Sequence, residues 1–147
     1  MSELELFFAD NVATVEEIGY VASERFKDKK GKPVEWKLRP VSAEQNNELK
    51  KLATKTVQVT GKPGQYRQEF DGNKYTELLT TATVVYPDLN NASLQDSWSE
   101  RAGEKIMTAE RLLSVMLLSG EYDNLTSKVT EVNGYNDINA KVEEAKN

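Results

Sequence analysis

Alternating apolar and charged residues in the first half of the chain predict a β-hairpin. The alternation is strict from residue 34 to residue 39, which is the period of a half-buried strand. A second strand-like run covers residues 15–26, and a turn containing Gly and Pro at residues 28–33 joins the two runs. The side chains predicted to face inward on the second strand are Val34, Trp36 and Leu38.

A helix and a second hairpin are predicted to follow. Ser42 and Gln45 have the spacing of a capping box, which predicts a helix over residues 42–55. The β-branched run at 56–60 and the strand-like run at 66–70 flank another turn rich in Gly and Pro. Together the two hairpins predict a small antiparallel sheet in the N-terminal half.

The second half of the chain is predicted to be a helical cluster. Its apolar residues recur at the three- and four-residue spacing of amphipathic helices. Gly134 after Asn133 is a typical helix stop. Because strands come first and helices later, the predicted fold class is α+β. The predicted helices cover residues 71–85, 92–98, 104–118 and 121–132.

A single domain is predicted for the whole chain of 147 residues, a length that can enclose its own core. Residues 1–14 form an N-terminal arm before the first strand, and residues 15–70 form the hairpin-rich part. The helical part covers residues 71–134. Residues 135–147 are predicted to be a loosely held tail with a frayed helix at 139–146.

The absence of both Cys and His restricts the chemistry that the chain can perform. Disulfides, thiolate metal sites and nucleophilic systems that need a His base are excluded. The adjacent carboxylates Glu16 and Glu17 diverge and do not form an acid–base pair. No loop has the regular oxygen ligands of a hard-cation site. We therefore predict no enzyme activity, no catalytic residue, no cofactor and no metal.

Charge is distributed unevenly along the chain, whose net charge is -5. Residues 1–24 carry six acids and no bases, whereas residues 25–62 carry eleven bases and four acids. The basic segment could form a nucleic-acid patch, but it contains one Trp and no recognisable nucleic-acid module, which favours a solvated hairpin and helix face. No segment has the apolar length of a membrane span, and the N-terminus lacks the features of an export signal. We expect no nucleic-acid or membrane partner and a cytoplasmic location.

Two apolar segments are candidate binding surfaces. The arm contains Leu6, Phe7 and Phe8, and six of the seven residues from 112 to 118 are apolar. A helix with one buried face needs fewer apolar residues than that, so the 112–118 segment fits either a central helix enclosed by its neighbours or a surface for an apolar partner helix. The side chains predicted to bind a partner are Leu6, Phe7, Phe8, Met107, Leu112, Val115 and Met116.

Short segments across residues 15–135 carry a family resemblance. They read SERFKDKKGKPVEWKLRPV at 23–41, GKPGQY at 61–66, EFD at 69–71, VYPDLN at 85–90, LQDS at 94–97, GEYD at 120–123 and VNGY at 132–135. In this order the segments resemble XkdN-like phage tail assembly chaperones, a family of PBSX-type prophage tail proteins.

The resemblance implies a non-enzymatic protein that binds the tape measure protein and keeps it soluble until the tail tube assembles. It implies a location in the cytoplasm of the bacterial host and absence from the mature virion. The tail tube protein and a second copy of the chain are further expected partners. The alternative is a structural minor tail component that is retained in the virion.

Overall fold

This computed structural model describes residues 2–135. They contain two antiparallel sheets and five α-helices, joined by loops and turns. The α+β class predicted from the sequence is confirmed. The strands are β1 (Ile18–Tyr20), β2 (Trp36–Leu38), β3 (Thr54–Gln58), β4 (Tyr66–Phe70) and β5 (Val84–Tyr86). The helices are α1 (Ala43–Leu52), α2 (Gly72–Thr83), α3 (Ala92–Ala102), α4 (Ala109–Met116) and α5 (Ser119–Val132). The predicted frayed helix at 139–146 lies outside the described residues.

The first sheet has the order β1-β2-β5, and its third strand was not predicted. β2 pairs with β1 through Ile18↔Leu38 and Tyr20↔Trp36, and with β5 through Lys37↔Tyr86. The helix predicted to reach residue 85 ends at Thr83 instead. Its apolar spacing continues past that point, but the following residues are β-branched and precede a proline, which favours an extended backbone.

The first hairpin is shorter than its predicted strands. β1 ends at Tyr20, and the chain leaves the ladder until the bridge between Lys27 and Pro33. The segment between β1 and this bridge buries Ala22 and Ser23. It also brings Arg25 into hydrogen-bonding contact with Met116 of α4. A strand continued along residues 15–26 could not make these contacts.

The second hairpin forms its own two-stranded sheet of β3 and β4 rather than joining the first sheet. All five residue pairs from Thr54↔Phe70 to Gln58↔Tyr66 are in register. Gly61 and Gly64 in its turn have φ of 73° and 81°, the left-handed region that glycine adopts without strain. Both strands are largely exposed, so their edges are not covered by the rest of the fold.

Polar caps set the boundaries of the helices. The predicted capping box of α1 is present: the Ser42 hydroxyl accepts from the Gln45 N–H at 3.1 Å, and the Gln45 side chain accepts from the Ser42 N–H at 3.0 Å. The prediction for 104–118 was too long, because α4 begins only after Thr108, whose hydroxyl accepts from the Arg111 N–H. The preceding residues belong to a loop held by a hydrogen bond from the Ile106 N–H to the Ser99 hydroxyl.

The core lies between the first sheet and the helices of the second half. α4 and α5 supply its centre, and β2 closes it from the sheet side. The buried apolar cluster consists of Ala22, Trp36, Leu38, Leu79, Val84, Leu89, Ile106, Ala109, Leu112, Leu113, Met116, Leu117, Leu125 and Val129.

Asn133 joins three parts of the fold just after α5. Its amide donates to the Thr83 hydroxyl at 3.0 Å and to the Val129 carbonyl at 2.9 Å, and its carbonyl accepts from the Val41 N–H at 2.9 Å. We expect Asn133→Ala to lower the free energy of unfolding by about 2–3 kcal/mol, because partly buried polar groups lose their partner. Urea unfolding measures this change. Asn124→Ala, at an exposed position of α5, is the control and should cost less than about 0.5 kcal/mol; an equal loss would contradict the assigned role.

Candidate protein-binding surface

The N-terminal arm presents large apolar side chains to solvent. Leu6, Phe7 and Phe8 are 60%, 82% and 51% exposed, and Leu4 and Val12 are exposed as well. Two short 3₁₀ turns, Leu4–Phe7 and Ala9–Asn11, shape the arm. The turns place no residue in the core, so the apolar side chains of the arm remain available for contact.

Local hydrogen bonds order the arm. The Ser2 N–H donates to the Glu5 carboxylate at 2.9 Å, and the Asn11 side chain donates to the Glu5 carbonyl at 2.8 Å. At the root of the arm, Val15 lies in a shallow cavity with Arg39 and Val85. The root of the arm therefore lies near the Arg39 end of β2.

The α4 segment is mostly core, and two of the residues predicted to bind a partner are buried in it. Leu112 is 0% exposed and Met116 is 3% exposed, whereas Val115 is half-buried. The segment has more apolar residues than a helix with one buried face needs, because neighbouring elements enclose α4. This is the first of the two alternatives predicted for residues 112–118. Leu112 and Met116 therefore pack inside the fold and are not accessible to a partner in this conformation.

Met107 has a different environment from α4. It lies in the loop before the helix and is 75% exposed. Its neighbour Ile106 is 1% exposed and belongs to the core cluster, so the loop is held in place while Met107 points outward. Met107 and the three arm residues are thus the predicted partner-binding side chains that the structure leaves fully accessible.

An aromatic groove was not predicted from the sequence. The rings of Phe26 and Trp36 are 6.2 Å apart, and those of Phe26 and Trp98 are 6.1 Å apart, both with tilted geometry. Phe26 and Trp36 belong to the first hairpin and Trp98 to α3, so the groove forms only when these two regions meet and no local pattern could have revealed it. The groove has a volume of about 270 Å³ and is lined by Phe26, Val34, Trp36, Tyr86, Pro87, Leu94, Trp98 and Met116.

Two arginines flank the aromatic groove. The Arg101 guanidinium lies over the Trp98 ring at 5.1 Å, and that of Arg25 lies over the Phe26 ring at 5.4 Å. Both distances permit cation–π attraction. The groove therefore combines an apolar aromatic lining with the exposed cation Arg101 beside it, which suits an apolar segment that carries negative charge.

Arg25 also connects the first hairpin to the junction of α4 and α5. Its guanidinium donates to the Met116 carbonyl at 2.6 Å and to the Glu121 carboxylate at 2.8 Å. Donation by Arg25, and then by the Leu118 N–H, lowers the pKa of Glu121 to about 2. The carboxylate is thereby held in its ionised form at the start of α5.

We expect Glu121→Gln to lower the free energy of unfolding by about 1–2 kcal/mol at neutral pH, a value reduced because Arg25 is partly exposed. The folded-state pKa lies below the ordinary value of 4.5, so this stabilisation is present above about pH 4.5 and is lost as pH falls to about 2. Urea unfolding of both proteins across this range measures it. Glu131→Gln, in an exposed pair with Lys128, is the control. If the difference in free energy of unfolding between the wild type and Glu121→Gln stays constant down to pH 2, the ionised Glu121 carboxylate is not the source of the stabilisation.

Among residues 2–135, no three carboxylate, imidazole or thiol side chains come together as metal ligands. Within the same residues, no helix combines the length and apolar character needed to cross a membrane. The apolar features of the described surface that could recognise another molecule include the arm, Met107 and the aromatic groove.

Comparisons with known proteins give a consistent result. The family model described as "Phage XkdN-like tail assembly chaperone protein" matches residues 4–146. Phage-like element PBSX protein XkdN of Bacillus subtilis strain 168 is 32% identical over 146 residues, which cover 99% of this chain and 94% of XkdN. Protein YqbN of the same strain is 30% identical over 143 residues, covering 97% and 91% of the two chains.

A solved structure has the same fold. The crystal structure of YqbN matches with a TM-score of 0.71 at 23% identity, and the match covers 92% of this chain and 99% of that chain. The matched region includes most of both sheets and the helical cluster, which supports the arrangement of elements described above.

Proposed function

Because the chain belongs to the phage XkdN-like tail assembly chaperone family, we propose that it binds the tape measure protein of its phage or prophage and keeps that protein soluble until the tail tube assembles. The chaperone would act in the cytoplasm of the bacterial host and would be absent from the finished particle. Its mechanism is reversible masking of apolar helical surface, without catalysis.

The exposed apolar arm is the observation that carries this proposal. Phe7 is 82% exposed. The buried apolar cluster forms without any residue of the arm. Clustered apolar side chains at a surface mark a site of interaction with another protein. The arm therefore provides the surface that a holding protein requires.

The chemistry of the arm fits an apolar helix as its target. A helix that has not yet packed presents a stripe of apolar side chains, and such a stripe is recognised by apolar side chains that insert between its ridges. Phe7 and Phe8 have large rings for this purpose, and Leu6 adds an aliphatic contact. Met107 offers a second, adaptable contact, because its unbranched side chain fits irregular surfaces.

Release follows from the same chemistry. The proposed contacts are non-covalent and lie on an arm that is not part of the core, so the partner can leave without unfolding the chaperone. The sequence contains neither His nor Cys, which fits a mechanism that requires only association and dissociation. Growth of the tail tube around the tape measure would compete for the same apolar stripe.

Co-expression tests the proposal. The tape measure protein from the same phage or prophage is expressed alone, with this chain, or with an unrelated acidic protein of similar size. We expect the soluble fraction of the tape measure protein to rise several-fold only with this chain, and the two proteins to purify together. Equal solubility under all three conditions would refute the holding role.

A further inference from the structure

We propose that the aromatic groove binds the N-terminal arm of a second copy of this chain, so that two copies exchange arms. The inference concerns self-association and does not depend on whether the chain binds the tape measure protein. It rests on the chemistry of the groove, on the charge of the arm and on the position of the arm relative to its own groove.

The groove and the arm have matching apolar chemistry. The groove is bounded by Phe26, Trp36 and Trp98, with rings 6.1 Å and 6.2 Å apart, and its volume of about 270 Å³ can receive one or two large side chains. The arm offers Phe7 and Phe8, which are largely exposed in the single chain. Aromatic side chains gain additional energy from offset or edge-to-face contacts with other rings.

The charges of the two surfaces are opposite. Residues 1–17 contain five acids and no Lys or Arg. Arg101 lies over the Trp98 ring at the rim of the groove without an ion pair among the described residues, whereas Arg25 on the other side is paired with Glu121, and the adjoining hairpin turn adds unpaired cations. Within residues 2–135, none of the following lysines forms an ion pair: Lys27, Lys29, Lys30 and Lys32. An acidic, apolar segment therefore meets attraction from Arg101 and from the turn, whose four lysines outnumber its one acid, Asp28.

The position of the arm favours exchange between copies over docking within one chain. Val15, at the root of the arm, lies with Arg39 at one end of β2, whereas the groove lies with Val34 and Trp36 at the other end. The apolar side chains of the arm are exposed in the single chain, so the arm does not occupy its own groove. A two-fold arrangement would place each arm against the groove of its partner.

The contact area is adequate for a stable dimer. Each buried aromatic side chain removes about 150–250 Å² from solvent, and the exchange buries two arms and two grooves. When the groove surface that Phe7 and Phe8 cover in each of the two contacts is counted as well, the total approaches about 1,200 Å², the lower end of the range that is typical of specific interfaces. Exchange would also cover the apolar arm before a client protein is present, and a client would then compete with it.

Sedimentation velocity over a micromolar concentration series tests the inference with the full chain. We expect a dimer for the wild type and at least about a tenfold larger dissociation constant for both the arm variant Phe7→Ser/Phe8→Ser and the rim variant Arg101→Glu. Arg101 is exposed, so its replacement leaves the fold intact. Leu52→Ser, which removes an equally exposed apolar side chain from α1, is the control and should remain dimeric.

Mixing the arm variant with the rim variant tests the exchange more directly than either variant alone. The arm variant retains an intact groove and the rim variant retains an intact arm, so a mixture should form a heterodimer through one restored contact. Both Trp residues of the chain line the groove, so a peptide of residues 2–17 should change the Trp fluorescence of the arm variant. A peptide with both Phe replaced by Ser should not.

Three results would overturn the inference. They are a wild type that stays monomeric at all concentrations, a dimer that persists in both variants, and a mixture without heterodimer. Failure of the proposed function is separate from these results, because no experiment in this set contains the tape measure protein.

Discussion

Replacing Phe7 and Phe8 together with Ser is expected to remove most of the several-fold increase in soluble tape measure protein that co-expression of the wild-type chain produces. A buried aromatic anchor at a protein interface contributes about 2 kcal/mol or more, and two anchors together correspond to at least about a hundredfold loss of affinity. Both rings are largely exposed in the free chain, so their loss weakens binding without removing core contacts. Quantitative fractionation of lysates measures the effect.

The control for this variant is the double substitution Leu52→Ser/Tyr66→Ser. These residues are 68% and 65% exposed and lie on α1 and β4, so the control removes a similar apolar surface from other parts of the molecule. The melting temperatures of both variants should stay within about 2 °C of the wild type. If the control lowers the soluble fraction as much as the arm variant does, the arm is not the specific binding surface.

Leu112→Ala is expected to lower the free energy of unfolding by about 3–5 kcal/mol, because a fully buried Leu loses its side-chain contacts and leaves a cavity. For a chain of this size the loss corresponds to a fall in melting temperature of about 10 °C or more. Thermal unfolding followed by circular dichroism measures it. The expected size follows from the central position of α4 in the core.

Met107→Ala is expected to behave differently from Leu112→Ala, although the sequence predicted both residues to bind a partner. Met107 is 75% exposed, so its truncation should change the melting temperature by less than about 2 °C. Its effect should instead be a modest loss of tape measure binding. A large destabilisation by Met107→Ala, or a negligible one by Leu112→Ala, would contradict the placement of these side chains.

Features with a strong local pattern could be predicted from the sequence. The alternation at residues 34–39 correctly placed Trp36 and Leu38 on the inner face of a strand. Ser42 and Gln45 fixed the start of α1, because the capping hydrogen bonds involve only neighbouring residues. Their geometry does not depend on the rest of the fold, and this is why the local signal was sufficient.

Features that depend on tertiary packing could not be predicted in the same way. An apolar run such as 112–118 has the same composition whether neighbours enclose it or a partner covers it, and only the packing of α4 distinguishes the two. β5 was missed because helical spacing continues through it, and it forms only where β2 can pair with it. The aromatic groove requires the first hairpin to meet the end of β5, α3 and α4.

Among the predicted site residues, the arm and the helix differ for a physical reason. Leu6, Phe7 and Phe8 lie in or between two short 3₁₀ turns that place no residue in the core. Leu112 lies between elements that come before and after it in the chain, and the fold encloses it. Position relative to the other elements, rather than hydrophobicity, therefore decides which apolar residues stay at the surface.

The most direct test of the account is to quantify this chain by mass spectrometry in two samples from the same infected or induced culture. One sample is the tape measure complex captured before tail assembly, and the other is the purified mature particle. The account predicts abundant chain in the complex and none in the particle. Its absence from the complex, or its retention in the particle in a fixed ratio to the tail proteins, would contradict the chaperone function.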